Sequence, residues 1–263
     1  MPKNILMCPP TYFDIEYEIN PWMHQDDQPN KQAAAREWQK LYKIYTERLG
    51  WHVELIEPVK NLPDMVFATD SGLVIDGQVM LSNFRYSERR VEAEMLESWL
   101  REQGYSQIKK AKHLLEGGDN LIFGDKILAG YGFRSEREAH AQLADYFNRP
   151  VISLKLVDPR FFHLDTALAI LNTHTAAYYP AAFDKPSQQL LKAAVPNLLE
   201  VNLEEVKSFG LNAVGDGQVV VCSDASPSLL QKYRAAGLEV IGTPILEFRK
   251  SGGGVKCLTL ELN

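Results

Sequence analysis

Cysteine is scarce: the 263 residues hold three, at positions 8, 222 and 257. An odd, widely spaced set excludes a disulfide framework and points to a reducing cytoplasm, so each thiol is judged alone. Long apolar runs are missing as well. No stretch approaches the roughly 18 residues of a membrane helix, and the opening MPKNILMCPP is too short and too weakly charged for a signal peptide. Positive charge is in deficit, 28 Lys and Arg against 34 Asp and Glu, for a net charge of −6. That balance argues against a nucleic-acid partner, which needs a basic surface, and leaves room for an acidic cavity that takes a cationic small molecule. No glycine-rich strand-to-helix loop is present either, because Gly252–Gly254 lead into an apolar strand pattern.

What is present is ordinary for a globular chain, 45% apolar and 24% charged residues, enough to bury the core of one large domain. It also repeats itself. Five segments share a plan of a small or acidic polar residue, an apolar run, a turn and usually a second apolar run. They start at Pro63 (PDMVFATDSGLVIDGQVMLSNF), Glu116 (EGGDNLIFGDKILAGYGF), Phe161 (FFHLDTALAILNTHTAAYYP), Phe209 (FGLNAVGDGQVVVCSD) and Gly252 (GGGVKCLTLELN). Taking Asp70, Asp119, Asp165, Asn212 and Cys257 as landmarks, the steps are 49, 46, 47 and 45 residues. A period of that size marks a repeat architecture.

Helical patterns lie between these pairs, at Ser87–Gln103, Glu136–Phe147, Lys185–Ala194 and Ser226–Ala236, with another from about Lys31 to Leu49. In the first, Val91, Met95, Leu96, Trp99 and Leu100 form an apolar stripe before Gly104. A short strand pattern follows each helix: HVELIEP, SQIKKA, PVISLKL, NLLEVN and LEVIGTP. Each unit therefore reads ββαβ. The last lacks its helix and third strand, which the N-terminal segment supplies. The expected fold is α/β: a five-bladed α/β propeller of about five ββαβ repeats with pseudo-fivefold symmetry, closed by joining the two ends. A plain β-propeller carries no helices of this length. With no linker visible, residues 1–263 read as one catalytic domain.

In such a ring the polar starts of the repeats gather in one cavity. Asp64, Asp70, Glu116, Asp119, His163, Asp165, Asn212 and Cys257 would meet there. A free cysteine is most often core packing, and Cys8 and Cys222 fit that description. Cys257 follows three glycines, opens a strand pattern at a repeat landmark, and with a histidine nearby is a candidate thiolate nucleophile. His163 and Asp165 would share one face of a strand. A histidine beside carboxylates keeps a raised pKa and can act as general acid, then base. Clustered acids need a cation. Asp70, Glu116 and Asp165 suit a planar guanidinium with several N–H donors, whereas a single histidine without spaced Cys or His partners is a poor zinc set, so no metal is expected. Arg89 and Arg134 follow hairpins, at the rim of the expected cavity, where they could hold a substrate carboxylate.

P-D-x-V-F-x-x-D, E-G-G-D, G-F-R, H-L-D and G-G-G-x-x-C, in this order, resemble the guanidine-modifying enzymes of the amidinotransferase, or pentein, superfamily. The likeness covers nearly the whole chain. It is nearest to the hydrolase domain of bacterial arginine dihydrolases and to dimethylargininases. The resemblance implies attack of Cys257 on a guanidinium carbon through a thiouronium-type intermediate. His163 then protonates the leaving nitrogen and activates water, while Asp70, Glu116 and Asp165 hold the guanidinium. Arg89 and Arg134 take the α-carboxylate, and Asn20 and Asp64 contact the amino-acid end or shape the pocket.

No cofactor is implied. The partner is a small guanidino compound, arginine or a methylated arginine, with no nucleic acid and no membrane, and the oligomeric state is left open. Dimethylargininases usually lack an acid at the position of Asp165, so its presence favours unmethylated arginine, with citrulline and ammonia as products. Dihydrolases carry Asn at the position of Asp70, which bears on whether reaction continues to ornithine. Chain length favours a dimethylargininase. An amidinotransferase and a non-catalytic ribosome-binding pentein are further alternatives, and retention of both Cys257 and His163 weighs against the latter.

Overall fold

The structure, a computed structural model, describes residues 2–262. It is an α/β arrangement of five three-stranded sheets. Four consist of consecutive strands: Gly72–Ile75, Gln78–Leu81 and Gln107–Lys110; Asn120–Phe123, Lys126–Tyr131 and Val151–Lys155; Leu168–Ile170, Thr175–Tyr178 and Asn197–Glu200; and Val214–Gly215, Val219–Ser223 and Glu239–Thr243. The fifth joins Leu260–Glu261 to Asn4–Met7 and His52–Leu55, so segments far apart in sequence complete one sheet.

All five sheets are wired alike. The first strand pairs antiparallel with the second, and the second pairs parallel with the third. A parallel neighbour cannot follow a tight turn, so a crossover must intervene. Here it is a helix each time: Arg90–Glu102, Ala139–Phe147, Lys185–Ala194, Pro227–Ala235 and Lys31–Lys43. The hairpins themselves are tight. Asp76 and Gly77, both at positive φ, join the strands of the first sheet, the geometry a two-residue hairpin turn demands.

Burial follows from this layout. Residues of the second strands, such as Ile5–Met7, Val79–Leu81, Ile127–Ala129 and Ala176–Tyr178, are almost wholly buried on both faces, hence their unbroken apolar runs. The third strands expose alternate or terminal positions. Two sequence expectations need correction. Helix Ala139–Phe147 begins three residues later than its pattern suggested. In Arg90–Glu102, Val91 is 43% exposed while Glu92 is buried. The buried face holds Glu92, Ala93, Leu96 and Leu100, because Glu92 has an ion-pair partner inside.

Candidate active site

The five landmark residues sit not in strands but in the turns that precede the first strands. Asp70 lies in the 3-10 turn Ala68–Ser71 and Asp119 in Gly117–Asp119. His163 is the extended residue before the single helical turn Leu164–Ala167, which carries Asp165. Cys257 lies in a turn three residues ahead of Leu260–Glu261. His163 and Asp165 thus converge through a helix start, not through the strand alternation expected of them, and Cys257 does not open a strand. The turns are tied to one another: the Thr69 amide donates to the Cys257 carbonyl at 3.2 Å, and the Leu164 amide donates to Asp119 Oδ1 at 3.0 Å.

Close approach at these turns requires glycine. A Cβ on Gly118 would fall 2.7 Å from Asp70 Oδ1 and 2.8 Å from His163 Nδ1. Gly252 has φ +77° and packs under Asn20, Trp22 and Phe162.

Cys257, His163, Asp165, Glu116, Asp70, Asp64, Arg89 and Arg134 are each at most 3% exposed. Cys257 Sγ lies 3.5 Å from Asp165 Oδ2 and 3.1 Å from Asn212 Nδ2. His163 Nε2 is 2.8 Å from Glu116 Oε2, and its Nδ1 is 3.5 Å from Asp70 Oδ1. Arg134 donates from Nη1 to Glu116 at 2.9 Å and from Nη2 to the Ile19 carbonyl at 3.1 Å, with its guanidinium over the rings of Tyr86 and Phe162. Arg89 binds Asp70 and Glu92 at 2.7 Å each and the Asp64 carbonyl at 3.2 Å. Both arginines line the same cavity as Asp70, His163 and Cys257. They lie buried in ion pairs rather than at an exposed rim, since the acids around them neutralise their charge.

Asn20 covers the cavity from another segment. It donates to the Ser251 carbonyl at 3.0 Å and accepts from the Trp22 amide. With these side chains in place the free volume is about 10 Å³.

Six buried acids (Asp64, Asp70, Glu92, Glu116, Asp119, Asp165) face three cationic groups (Arg89, Arg134, His163). Asp70 Oδ1 and Asp165 Oδ1 make no hydrogen bond. An excess of acceptors of this kind calls for an added cation. The electrostatics are strongly shaped. Burial opposes the imidazolium of His163, yet Asp70, Glu116 and Asp119 outweigh it and lift the pKa to about 9. Burial likewise disfavours the Glu116 carboxylate, but Arg134 and His163 hold it well below the usual range. Burial raises Asp165 despite His163, pushes Glu92 to about 7 against the pull of Arg89, and pushes Asp119 to about 6. Cys257 is raised well above an ordinary thiol by burial first, then by Asp165 and Asp70. Asp70, Asp165 and Cys257 bring one atom each within 4.8 Å of the others, without the histidine pair or cysteine pair of a zinc centre.

A profile of the N,N dimethylarginine dimethylhydrolase family, eukaryotic form, matches residues 2–263. The chain belongs to this family. A relative in Mycobacterium tuberculosis, N(G),N(G)-dimethylarginine dimethylaminohydrolase, is 44% identical over 99% of this chain and 86% of its own length. The bifunctional arginine dihydrolase/ornithine cyclodeaminase ArgZ of Synechocystis is 37% identical over 98% of this chain, which spans only 37% of that protein. Among solved structures, the ArgZ N-terminal domain with its substrate, in a Cys-to-Ser variant, superimposes with a TM-score of 0.94. It is 36% identical and covers 99% of this chain and 98% of that one. An Asn-to-Ser variant of the same domain was solved covalently bound to a reaction intermediate.

One member of the site escaped the sequence reading, and another was placed in the cavity without a role. Glu92 was not singled out in the sequence, and only the burial of its ion pair with Arg89 reveals it. Asn212 stood at a repeat landmark without a role, yet it touches the Cys257 sulfur. Its signal was the replacement of an acid by an amide at that landmark.

Proposed function

We propose that the chain hydrolyses the guanidinium carbon of arginine or an N-methylated arginine through a covalent Cys257 intermediate, giving citrulline. The observation that carries this reading is the buried Cys257 thiol, which lines one cavity with His163 and Asp70 and is hydrogen-bonded to Asp165, while Asp70 and Asp165 each keep an oxygen that makes no hydrogen bond.

The resting thiol is neutral because two acids and burial oppose the thiolate. A guanidinium seated between Asp70 and Asp165 reverses that field and favours sulfur as the nucleophile. As sulfur adds to the guanidinium carbon to give a tetrahedral adduct, the thiol proton passes to Asp165, its hydrogen-bond acceptor at 3.5 Å. His163, already protonated and aimed by Glu116, gives its proton to the departing nitrogen, leaving a thiouronium on Cys257. The neutral imidazole then takes a proton from water, whose oxygen attacks the same carbon. Collapse expels the thiolate and releases the ureido product. Arg134, with donors still free beyond Glu116 and Ile19, and Arg89 take the α-carboxylate; Asn20 and Asp64 hold the amino-acid end. An arginine-sized ligand enters once the turns around Asn20 and Ser251–Gly253 move aside.

Arginine is the first reading, because Asp165 adds a third carboxylate suited to unmethylated N–H groups. Methylated arginine is the second, favoured by the match of the whole chain to the dimethylarginine family. The five like-wired sheets are best understood as blades of one closed α/β propeller with pseudo-fivefold symmetry, making residues 1–263 a single catalytic domain. Three buried free cysteines suit a cytoplasmic setting; among the described residues no helix is long and apolar enough to cross a membrane.

Mass spectrometry of products from arginine, monomethylarginine and asymmetric dimethylarginine, with Cys257→Ala alongside, tests both readings. Citrulline from arginine alone supports the first, and citrulline from the methylated substrates supports the second. Turnover retained in Cys257→Ala would sink the mechanism.

A further inference from the structure

We infer that Asn212 is a further catalytic residue of this site, whose carboxamide fixes the Cys257 sulfur in place and donates the hydrogen bond that stabilises its thiolate. The inference rests on Cys257 being the nucleophile, as proposed above.

The orientation of the Asn212 amide is decided by its surroundings. Its Oδ1 accepts from the backbone amides of Lys256 at 2.8 Å and Cys257 at 3.1 Å. Both of those groups are donors only, so the oxygen must face them. The Nδ2 group is thereby turned to two acceptors, the Asp165 carbonyl at 3.2 Å and Cys257 Sγ at 3.1 Å. A flipped amide would set donor against donor on one side and acceptor against acceptor on the other. The side chain is fully buried, so no water competes for these bonds. The backbone crowds it as well: a Cβ on Gly254 would lie 2.9 Å from Asn212 Oδ1.

One carboxamide therefore grips the Cys257 turn by its backbone and its sulfur while holding the Asp165 turn. The charged groups around the sulfur are Asp165 and Asp70, which oppose a thiolate, with Lys256 on the same turn and His163 in the same cavity. Against the two acids, Asn212 is the neutral side-chain donor in contact with the sulfur. An aspartate at this landmark, as at 70, 119 and 165, would add a further carboxylate to the sulfur and destabilise the anion. Asparagine keeps the same shape and both acceptor bonds, and presents N–H where the charge forms.

The test follows the pH dependence of Cys257 alkylation by iodoacetamide, read by mass on the Cys257 peptide in the absence of substrate. Asn212→Asp retains the acceptor oxygen and the shape but removes the donor; Asn212→Ala removes the donor without adding charge. Both are expected to raise the alkylation midpoint, by about one pH unit or more for Asn212→Asp. The kcat is expected to fall on the order of 100-fold with KM changed less than about threefold. Circular dichroism identifies which variants are folded, and either one suffices. A midpoint equal to that of the unsubstituted protein in a folded variant overturns the inference while leaving Cys257 as nucleophile. Turnover retained in Cys257→Ala overturns the nucleophile assignment instead.

Discussion

Neighbouring residues of the same turns line two different cavities. Asp70 and Cys257 face the candidate active site, whereas Thr69 and Lys256, one position earlier, line a second cavity of about 330 Å³ together with Leu73, Leu121 and Leu171. The second cavity is much the larger, yet its charges are settled internally: Glu261 pairs with both Lys3 and Lys256, and the Thr69 hydroxyl donates to the Thr259 carbonyl. The first is almost filled, and around it acids outnumber cations and three carboxylate oxygens, on Asp64, Asp70 and Asp165, make no hydrogen bond. Size therefore does not mark the site. Unsatisfied charge does, because an unpaired buried acceptor costs free energy until a ligand supplies the donor.

The contrast can be broken most severely at Cys257. Cys257→Ser should lower kcat by more than about 10³-fold, since a hydroxyl lacks the nucleophilicity of a thiolate; steady-state kinetics on a folded variant checks this. Arg89→Met should come next. It strands Asp64, Asp70 and Glu92 without their shared cation and should cost about 3–5 kcal/mol in urea unfolding; a loss below about 1 kcal/mol would mean that these acids are neutral in the fold.

His163 gives a pH signature. Its folded pKa is raised to about 9, so the stability from its ion pairs is fully present below the unfolded value near 6.5 and lost as pH rises through about 9. The melting gap between the unsubstituted protein and His163→Gln should therefore be widest near pH 6 and close towards pH 9.5. A gap that widens with pH would reverse the assignment. The smallest effect is expected on the other cavity. Thr69→Val keeps the shape beside Asp70 and removes two hydrogen bonds, costing about 1–2 kcal/mol with kcat/KM within about threefold. A tenfold loss of activity would show that the two cavities are not independent.

The sequence alone made much of this visible. Four hairpin patterns, the five helices to within a few residues and the strand after each lie where the apolar periodicity put them, because every unit buries the same faces in the same order; the fifth sheet instead takes its second strand from Asn4–Met7. The acidic and thiol landmarks were legible for the same reason: a repeat places equivalent residues at equivalent turns. Local patterns failed where a partner far away in sequence decided the outcome. Glu92 is buried only because Arg89 brings Asp64 and Asp70 to it. Val91 is left outside by the same rotation of the helix. His163 and Asp165 meet the cavity through a helical turn whose first amide is held by Asp119, 45 residues earlier.

Periodicity and composition by themselves determined the α/β units, their number and the residue types available for chemistry, since these depend on which faces must leave water. Only the tertiary structure decided which charges pair, which carboxylates are left open and which amide touches the sulfur. Such choices depend on distances between turns nearly fifty residues apart, and on the loss of solvent screening once those turns pack together.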